Sequence, residues 1–219
     1  MVNKIVSSLE EAVAGIQDGS TVLVGGFGGA GQPVELIEAL IDQGAKDLVV
    51  VSNNAGNGET GLAALLKAGR VRKIICSFPR QADSYVFDGL YRAGKIELEL
   101  VPQGTIAERV RAGGAGIGGF YTRTGVGTPL AEGREIRNIN GVDYLFEYPI
   151  VADVALIKAR QGDRWGNLTY RKSARNFNPV FATAAKLTVA QVSEIVELGD
   201  IDPEVVVTPG IYVKRVVKV

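Results

Sequence analysis

A short, largely apolar run followed by a helical stretch that stops at a glycine recurs along the first half of the chain. This constrains the fold more than any other feature. Residues 21–24 form such a run, Pro33 opens a helix whose Leu36, Ile37, Leu40 and Ile41 share a face, and Gly44 stops it. The unit recurs as 48–52 with a helix over 62–67 and Gly69, as 72–76 with 84–93 and Gly94, and as 96–101 with 106–111. Ahead of it, Ser8-Leu9-Glu10-Glu11 has the form of a capping box and predicts a helix over 8–17. Strands separated by helices pair in parallel, because a parallel connection needs a crossover long enough to return to the same edge. The chain is therefore expected to be α/β, an open, mainly parallel sheet with helices on both faces. Ligands of such sheets sit at the carboxyl ends of the strands.

Residues 120–150 break the rhythm with Gly125, Gly127, Pro129, Gly133 and Pro149, and are expected to form an irregular excursion. Strand material resumes at 154–157, and the Val-rich tail from Leu187 onward is expected to close the sheet. No linker interrupts the chain, so residues 1–219 are expected to be one domain.

Composition removes several chemistries. Lys and Arg together number 24, as do Asp and Glu, so no net charge draws the chain to nucleic acid or an anionic membrane. No apolar run reaches the roughly 18 residues of a membrane span. Glu10 and Glu11 stand where a signal peptide would carry its apolar stretch, so a cytoplasmic location is expected. The single cysteine, Cys76, ends a predicted strand and excludes an intramolecular disulfide; it is expected to be a small buried apolar group. The chain has no histidine, which removes Ser/His/Asp and Cys/His nucleophile pairs and His-containing zinc sites unless a second chain completes them; no metal site is expected. Chemistry is left to carboxylates, amides, backbone donors, Lys, Tyr or a partner.

The glycines, 28 in all, are bunched, with dense groups at 25–31 and 113–119. Glycines bunched between apolar runs mark backbone that must approach something closely. The first group reads Gly25-Gly26-Phe27-Gly28-Gly29-Ala30-Gly31, directly between a predicted strand and a predicted helix. Gly26, Gly28 and Gly31 satisfy the G-x-G-x-x-G spacing of a dinucleotide site. The second strand nevertheless ends in Ser52-Asn53-Asn54-Ala55-Gly56, without the acidic residue that holds ribose hydroxyls. A Walker-type loop is excluded because no Gly-Lys-Ser/Thr follows. What remains is backbone N–H at a helix start, suited to a phosphate, thioester oxygen or carboxylate.

The run Asp18-Gly19, Val22-Leu23-Val24-Gly25-Gly26-Phe27, Gly31 and Pro33 resembles the signature of the α subunit of family I coenzyme A transferases. Ser52-Asn53-Asn54-Ala55-Gly56, the segment from Pro102-Gln103-Gly104-Thr105 to Gly116-Ile117, Trp165-Gly166-Asn167-Leu168, Asn176-Phe177-Asn178-Pro179 and Thr208-Pro209-Gly210-Ile211-Tyr212-Val213 resemble the same family in order. The resemblance covers essentially the whole chain. Ser77-Phe78-Pro79-Arg80-Gln81-Ala82-Asp83-Ser84-Tyr85-Val86-Phe87, followed by Tyr91-Arg92-Ala93-Gly94-Lys95-Ile96-Glu97, is similar to the 3-oxoadipate branch.

The resemblance implies an enzyme that moves coenzyme A between two carboxylic acids through a glutamyl thioester carried by a β subunit. Coenzyme A would then be a substrate, with no permanently bound cofactor, and the assembly a heterotetramer of two α and two β subunits. It also implies that Gln103 is an amide donor to the oxyanion of the acyl transfer, and that Gly25, Gly26, Phe27, Gly28, Gly29, Ala30 and Gly31 meet the coenzyme A thioester region. Asn53 and Asn54, at a predicted strand end, are candidates to orient the substrate carboxylate or the partner's Glu, or to cap the loop through Asx turns. Arg80 is the candidate cation for the second carboxylate of a keto diacid, against a surface arginine paired with Asp83. Glu59, Glu108 and Glu147 are not expected to be nucleophilic. Alternatives are an α subunit whose acceptor is acetoacetate, a nucleotide-binding oxidoreductase, and a non-catalytic module for acyl-CoA or nucleotide.

Overall fold

Ser8 starts the first helix: its hydroxyl accepts the Glu11 N–H at 3.1 Å, while the Glu11 carboxylate takes the N–H and hydroxyl of Ser7 at 2.8 Å each. That helix, α1 (Leu9–Val13), is shorter than the expected 8–17, because the chain turns left-handed at Gly15, with φ of 82°. The computed structural model describes residues 2–219. After α1 the chain alternates through β1 (Thr21–Val24), α2 (Val34–Gln43), β2 (Leu48–Val51), α3 (Leu62–Lys67), β3 (Val71–Cys76), α4 (Tyr85–Arg92), β4 (Glu97–Leu100) and α5 (Gln103–Gly114). Then come β5 (Phe120–Thr122), β6 (Ile136–Ile139), β7 (Val142–Glu147), β8 (Ala152–Gly162), β9 (Leu168–Thr169), α6 (Asn178–Ala182), β10 (Ala185–Ile195) and β11 (Arg215–Lys218). Pro33 immediately precedes α2, and Gly44 closes it in the left-handed conformation, its N–H on the Leu40 carbonyl.

The principal sheet has the order β11-β10-β8-β1-β2-β3-β4, every neighbouring pair parallel, with β9 added antiparallel to β8. Helices cover both faces. Val22 and Val24 of β1 enter a core with Leu36, Leu40, Leu62, Leu65 and Phe87 from α2, α3 and α4. Leu23, between them, enters a second core with Ile106 and Val110 of α5 and Phe181 of α6. Successive residues of a strand point to opposite faces, so a strand buried on both sides reads as one apolar run. The chain builds outward from β1 to β4, then returns to the other side of β1 with β8, which places the reversal of strand order between β1 and β8.

Residues 120–150 are irregular over 123–135, as expected from their glycines and prolines, but the rest of the segment forms a second sheet, antiparallel, in the order β5-β7-β6. Asn140-Gly141 makes the β6–β7 turn with φ of 53° and 83°, the left-handed pair of a two-residue hairpin. That dipeptide between alternating residues carried the signal, outweighed in the sequence by the surrounding turn formers. The small sheet is tied to the large one by charge. Glu147 of β7, 1% exposed, lies 2.5 Å from the Arg134 guanidinium and 3.8 Å from that of Arg109, which in turn meets Glu99 of β4 at 2.9 Å.

Helix α5 runs well past the expected 106–111. Its last residues, Gly113 and Gly114, are poor helix formers, but a Cβ there would overlap the Ile150 carbonyl oxygen and the Thr183 hydroxyl. Gly113 and Gly114 of the second glycine cluster thus serve close approach of the chain to itself.

Candidate active site

Gly25 leaves β1 with its N–H on the Leu156 carbonyl of β8, so the glycine loop begins at the point where strand order reverses. Phe27 and Ala30 then bond each other in both directions, at 3.0 and 3.1 Å, which closes Gly28-Gly29 into a tight reverse turn. Phe27 stands at its base, 49% exposed. At the helix start that follows the loop, Pro33 offers no side-chain cap, and the Leu36 N–H in the first turn of α2 is taken by Gln191 at 3.2 Å. The start of α5, which follows Pro102 and begins with Gln103, likewise has no side-chain cap.

A cavity of about 320 Å³ lies beyond the carboxyl ends of β1, β2 and β3, lined by Phe27, Gly28, Asn53, Ser77, Phe78, Gln81 and Gln103. It gathers residues far apart in sequence because four consecutive parallel strands end on one side. Ser77 orients Asn53, its hydroxyl lying 3.0 Å from the Asn53 carbonyl oxygen and 3.1 Å from the side-chain Oδ1. The Asn53 amide nitrogen has no hydrogen-bond partner among the described residues, and the residue lines the cavity. Gln103 is exposed there. Three side-chain amides, Asn53, Gln81 and Gln103, and two aromatic rings thus meet in one cavity, and among the described residues no carboxylate lines it. Ser77, Phe78 and Gln81, which follow β3, were visible in the sequence only as part of a family-like segment.

The other expected site residues fall elsewhere. Asn54 is buried, and its Oδ1 accepts the Gly56 N–H at 2.8 Å, an Asx turn that caps its own loop. Arg80 is exposed and held by Asp88, not Asp83, at 2.5 Å, with its guanidinium 5.8 Å from the centre of the Tyr91 ring. Of the acids, Glu59 pairs with Lys67, Glu108 with Arg111, and Glu147 with arginines at the small sheet. Cys76, at the end of β3, is buried, and burial pushes its thiol up to about 12. It is therefore a thiol and not a thiolate near neutral pH.

Asn176 and Asn178 hold the glycine loop from behind. The Asn176 amide donates to the Ala30 carbonyl at 2.9 Å, and that of Asn178 to Gly31 at 3.0 Å. A larger groove of about 620 Å³ lies between α1 and α2, but Glu10, Glu35, Glu38 and Asp42 line it, a setting that repels carboxylate and thioester substrates. No helix among the described residues is long and apolar enough to cross a membrane, and no three or more of their Cys, Asp and Glu side chains cluster as a metal site would need.

Fold and site together define a doubly wound α/β chain with an amide-lined cavity at its strand ends. Residues 6–219 match the coenzyme A transferase family, and the chain belongs to it. It is 66% identical over 219 residues to a 3-oxoadipate CoA-transferase subunit of Pseudomonas putida, covering 100% of this chain and 95% of the relative. Against a probable succinyl-CoA:3-ketoacid coenzyme A transferase subunit of Bacillus subtilis the identity is 51%, over 99% of this chain and 90% of the relative. Among solved structures, an acyl-CoA transferase of Escherichia coli O157:H7 in a thioester complex with CoA superposes with a TM-score of 0.86 at 24% identity. The chain is covered in full there but spans 47% of that longer chain. Glutaconate coenzyme A-transferase of Acidaminococcus fermentans gives 0.86 at 22% identity, over 98% of this chain and 75% of that one. These two likenesses carry the fold.

Proposed function

We propose that this chain is the α subunit of a two-component transferase that moves coenzyme A from succinyl-CoA to 3-oxoadipate, through a glutamyl thioester on a β subunit. The observation that carries the reading is the convergence of Phe27-Gly28, Asn53 and Gln103 on one cavity that no carboxylate of the described residues lines. A carboxylate nucleophile then has to come from a partner. Each half-reaction passes the acyl carbon through a tetrahedral species whose oxygen becomes negative, and an amide donor fixed in advance stabilises that charge without reorganising. Gln103 is assigned this role and the Asn53 amide orients the attacking or departing carboxylate. Phe27 and Phe78 supply the apolar part of the cavity wall.

The branch assignment is supported by the two 3-oxoadipate relatives, at 66% and 65% identity, standing above the 3-ketoacid relative at 51%. Arg80, in the branch-like segment, is the proposed partner of the second carboxylate of the diacid, reached by exchange from Asp88. That these relatives are themselves named as single subunits supports a partner chain, in a proposed heterotetramer, and a cytoplasmic location suits such metabolism. Coenzyme A is a substrate here and no resident cofactor is proposed.

The test is thioester transfer from succinyl-CoA to 3-oxoadipate and to acetoacetate, with this chain alone and with its β subunit. Transfer only in the mixture, stronger with the diacid, is expected. Preference for acetoacetate would overturn the substrate, and activity of the chain alone would overturn the split site.

A further inference from the structure

Residues 164–193 contain Arg164, Arg171, Lys172, Arg175 and Lys186 but no Asp or Glu, in a chain whose formal charge is zero. Arg171, Lys172 and Arg175 are exposed, and none has an ion-pair or hydrogen-bond partner for its side chain among the described residues. Lys172 also has a φ of 50°, a left-handed conformation uncommon for a residue with a side chain. Like charges on one short turn repel one another, so the arrangement must be imposed from outside the turn.

It is imposed by the residues that hold the glycine loop. The Asn178 amide donates to the Ala174 carbonyl at 2.9 Å as well as to Gly31, and Asn176 bonds Ala30. The contact is close enough that a Cβ on Gly31 would lie 2.9 Å from the Ala174 Cα. The cationic turn is therefore fixed against one shoulder of the glycine loop, while Phe27 and Gly28 on the other shoulder line the amide cavity. Arg175 also lines a second cavity of about 390 Å³ with Arg160, where Glu204 is the acid that faces them.

We propose that Arg171, Lys172 and Arg175, with Arg160 at the edge, seat the phosphate groups of coenzyme A. This rests on the transferase reading above. A phosphate monoester and a diphosphate bring several negative charges, and the planar guanidinium fork matches two phosphate oxygens at once while Lys172 acts as a point charge. The arm of coenzyme A crosses the Phe27–Ala30 turn to put its sulfur end over the cavity. The anion removes the repulsion within the turn, which gives it a free-energy reason to bind there.

The test is calorimetric binding of coenzyme A and of 3′-dephospho-coenzyme A to the assembled enzyme, wild type and Lys172→Gln/Arg175→Gln. The double variant is expected to weaken coenzyme A binding on the order of tenfold. Its preference for coenzyme A over the dephospho form is expected to narrow, with the KM for the acceptor acid unchanged. A second measurement needs no variant: wild-type affinity should fall as salt rises from about 50 to about 200 mM. Unaltered coenzyme A binding by a folded variant, or affinity indifferent to salt, overturns the proposal while leaving the transferase reading standing. A variant that fails to join the β subunit, yet binds coenzyme A normally once assembled at high concentration, reassigns the turn to subunit docking. A wild-type assembly that neither binds coenzyme A nor transfers it overturns both readings together.

Discussion

The side-chain amide of Asn178 donates to the main-chain carbonyl of Gly31 at 3.0 Å, joining residues 147 positions apart. Its Oδ1 accepts the Lys158 N–H at 3.0 Å, and a Cβ on Gly25 would overlap that same oxygen. The glycine at position 25 thus answers to a buried asparagine behind the loop. Asn178→Ala would leave the Lys158 N–H and the Gly31 and Ala174 carbonyls without this partner. A loss of about 2 to 4 kcal/mol is expected from such buried groups, read from urea unfolding, with a fall in turnover as the loop loosens.

Gln103→Ala should separate chemistry from folding. The residue is exposed at the first position of α5, so thermal stability and β-subunit assembly are expected to stay near wild type. Turnover should fall about 100- to 1,000-fold, the usual effect of removing one oxyanion donor. Unchanged turnover in the reconstituted enzyme would remove Gln103 from the oxyanion site.

Arg80→Met tests substrate choice. If Arg80 meets the second carboxylate, the KM for 3-oxoadipate rises about tenfold more than that for acetoacetate. Equal changes would leave it a surface clamp between Asp88 and Tyr91.

Glu99 predicts an acid limb. Burial pushes its carboxyl up, but hydrogen bonds from Lys73 and Arg109 outweigh this and hold it below its ordinary value. Between the depressed folded value and the unfolded value of about 4.3, the unfolded chain binds the extra proton, so stability rises with pH across that interval. The contribution is present above the unfolded value and lost as pH falls through the folded one. Glu99→Gln should flatten the stability profile below about pH 4.3, measured as unfolding midpoints in urea at stepped pH. A slope as steep as wild type would place the acid sensitivity elsewhere.

Cys76 should resist thiol reagents in the folded chain at about pH 8 and react promptly in denaturant. Its burial and a pKa pushed up to about 12 leave almost no thiolate. Fast labelling of the native chain would show that the end of β3 opens.

Much of the scaffold could be read locally. The alternation of 21–24, 48–52, 72–76 and 96–101 with helices depends on side chains a few residues apart, and Gly44 stops α2 by its own backbone freedom. The β6–β7 hairpin was equally local, through Asn140-Gly141, but was masked by neighbouring glycines and prolines. The site was legible by type: Gln103, Asn53 and the glycine loop stood out as amides and bare backbone at strand and helix ends.

Sequence by itself determined the class of fold, the lack of any histidine-based chemistry and the residues able to carry an acyl site, because these follow from residue type and short-range periodicity. Tertiary structure alone decided the rest. Strand order set which loops share a side, bringing Gly28, Asn53, Ser77 and Gln103 to one cavity. It also put the cationic turn at 171–175 against Gly31 and ran an ion-pair chain from Glu99 through Arg109 to Glu147. Such pairings join residues tens to more than a hundred positions apart, and no local periodicity encodes them; they exist only once parallel strands are stacked and their helices packed.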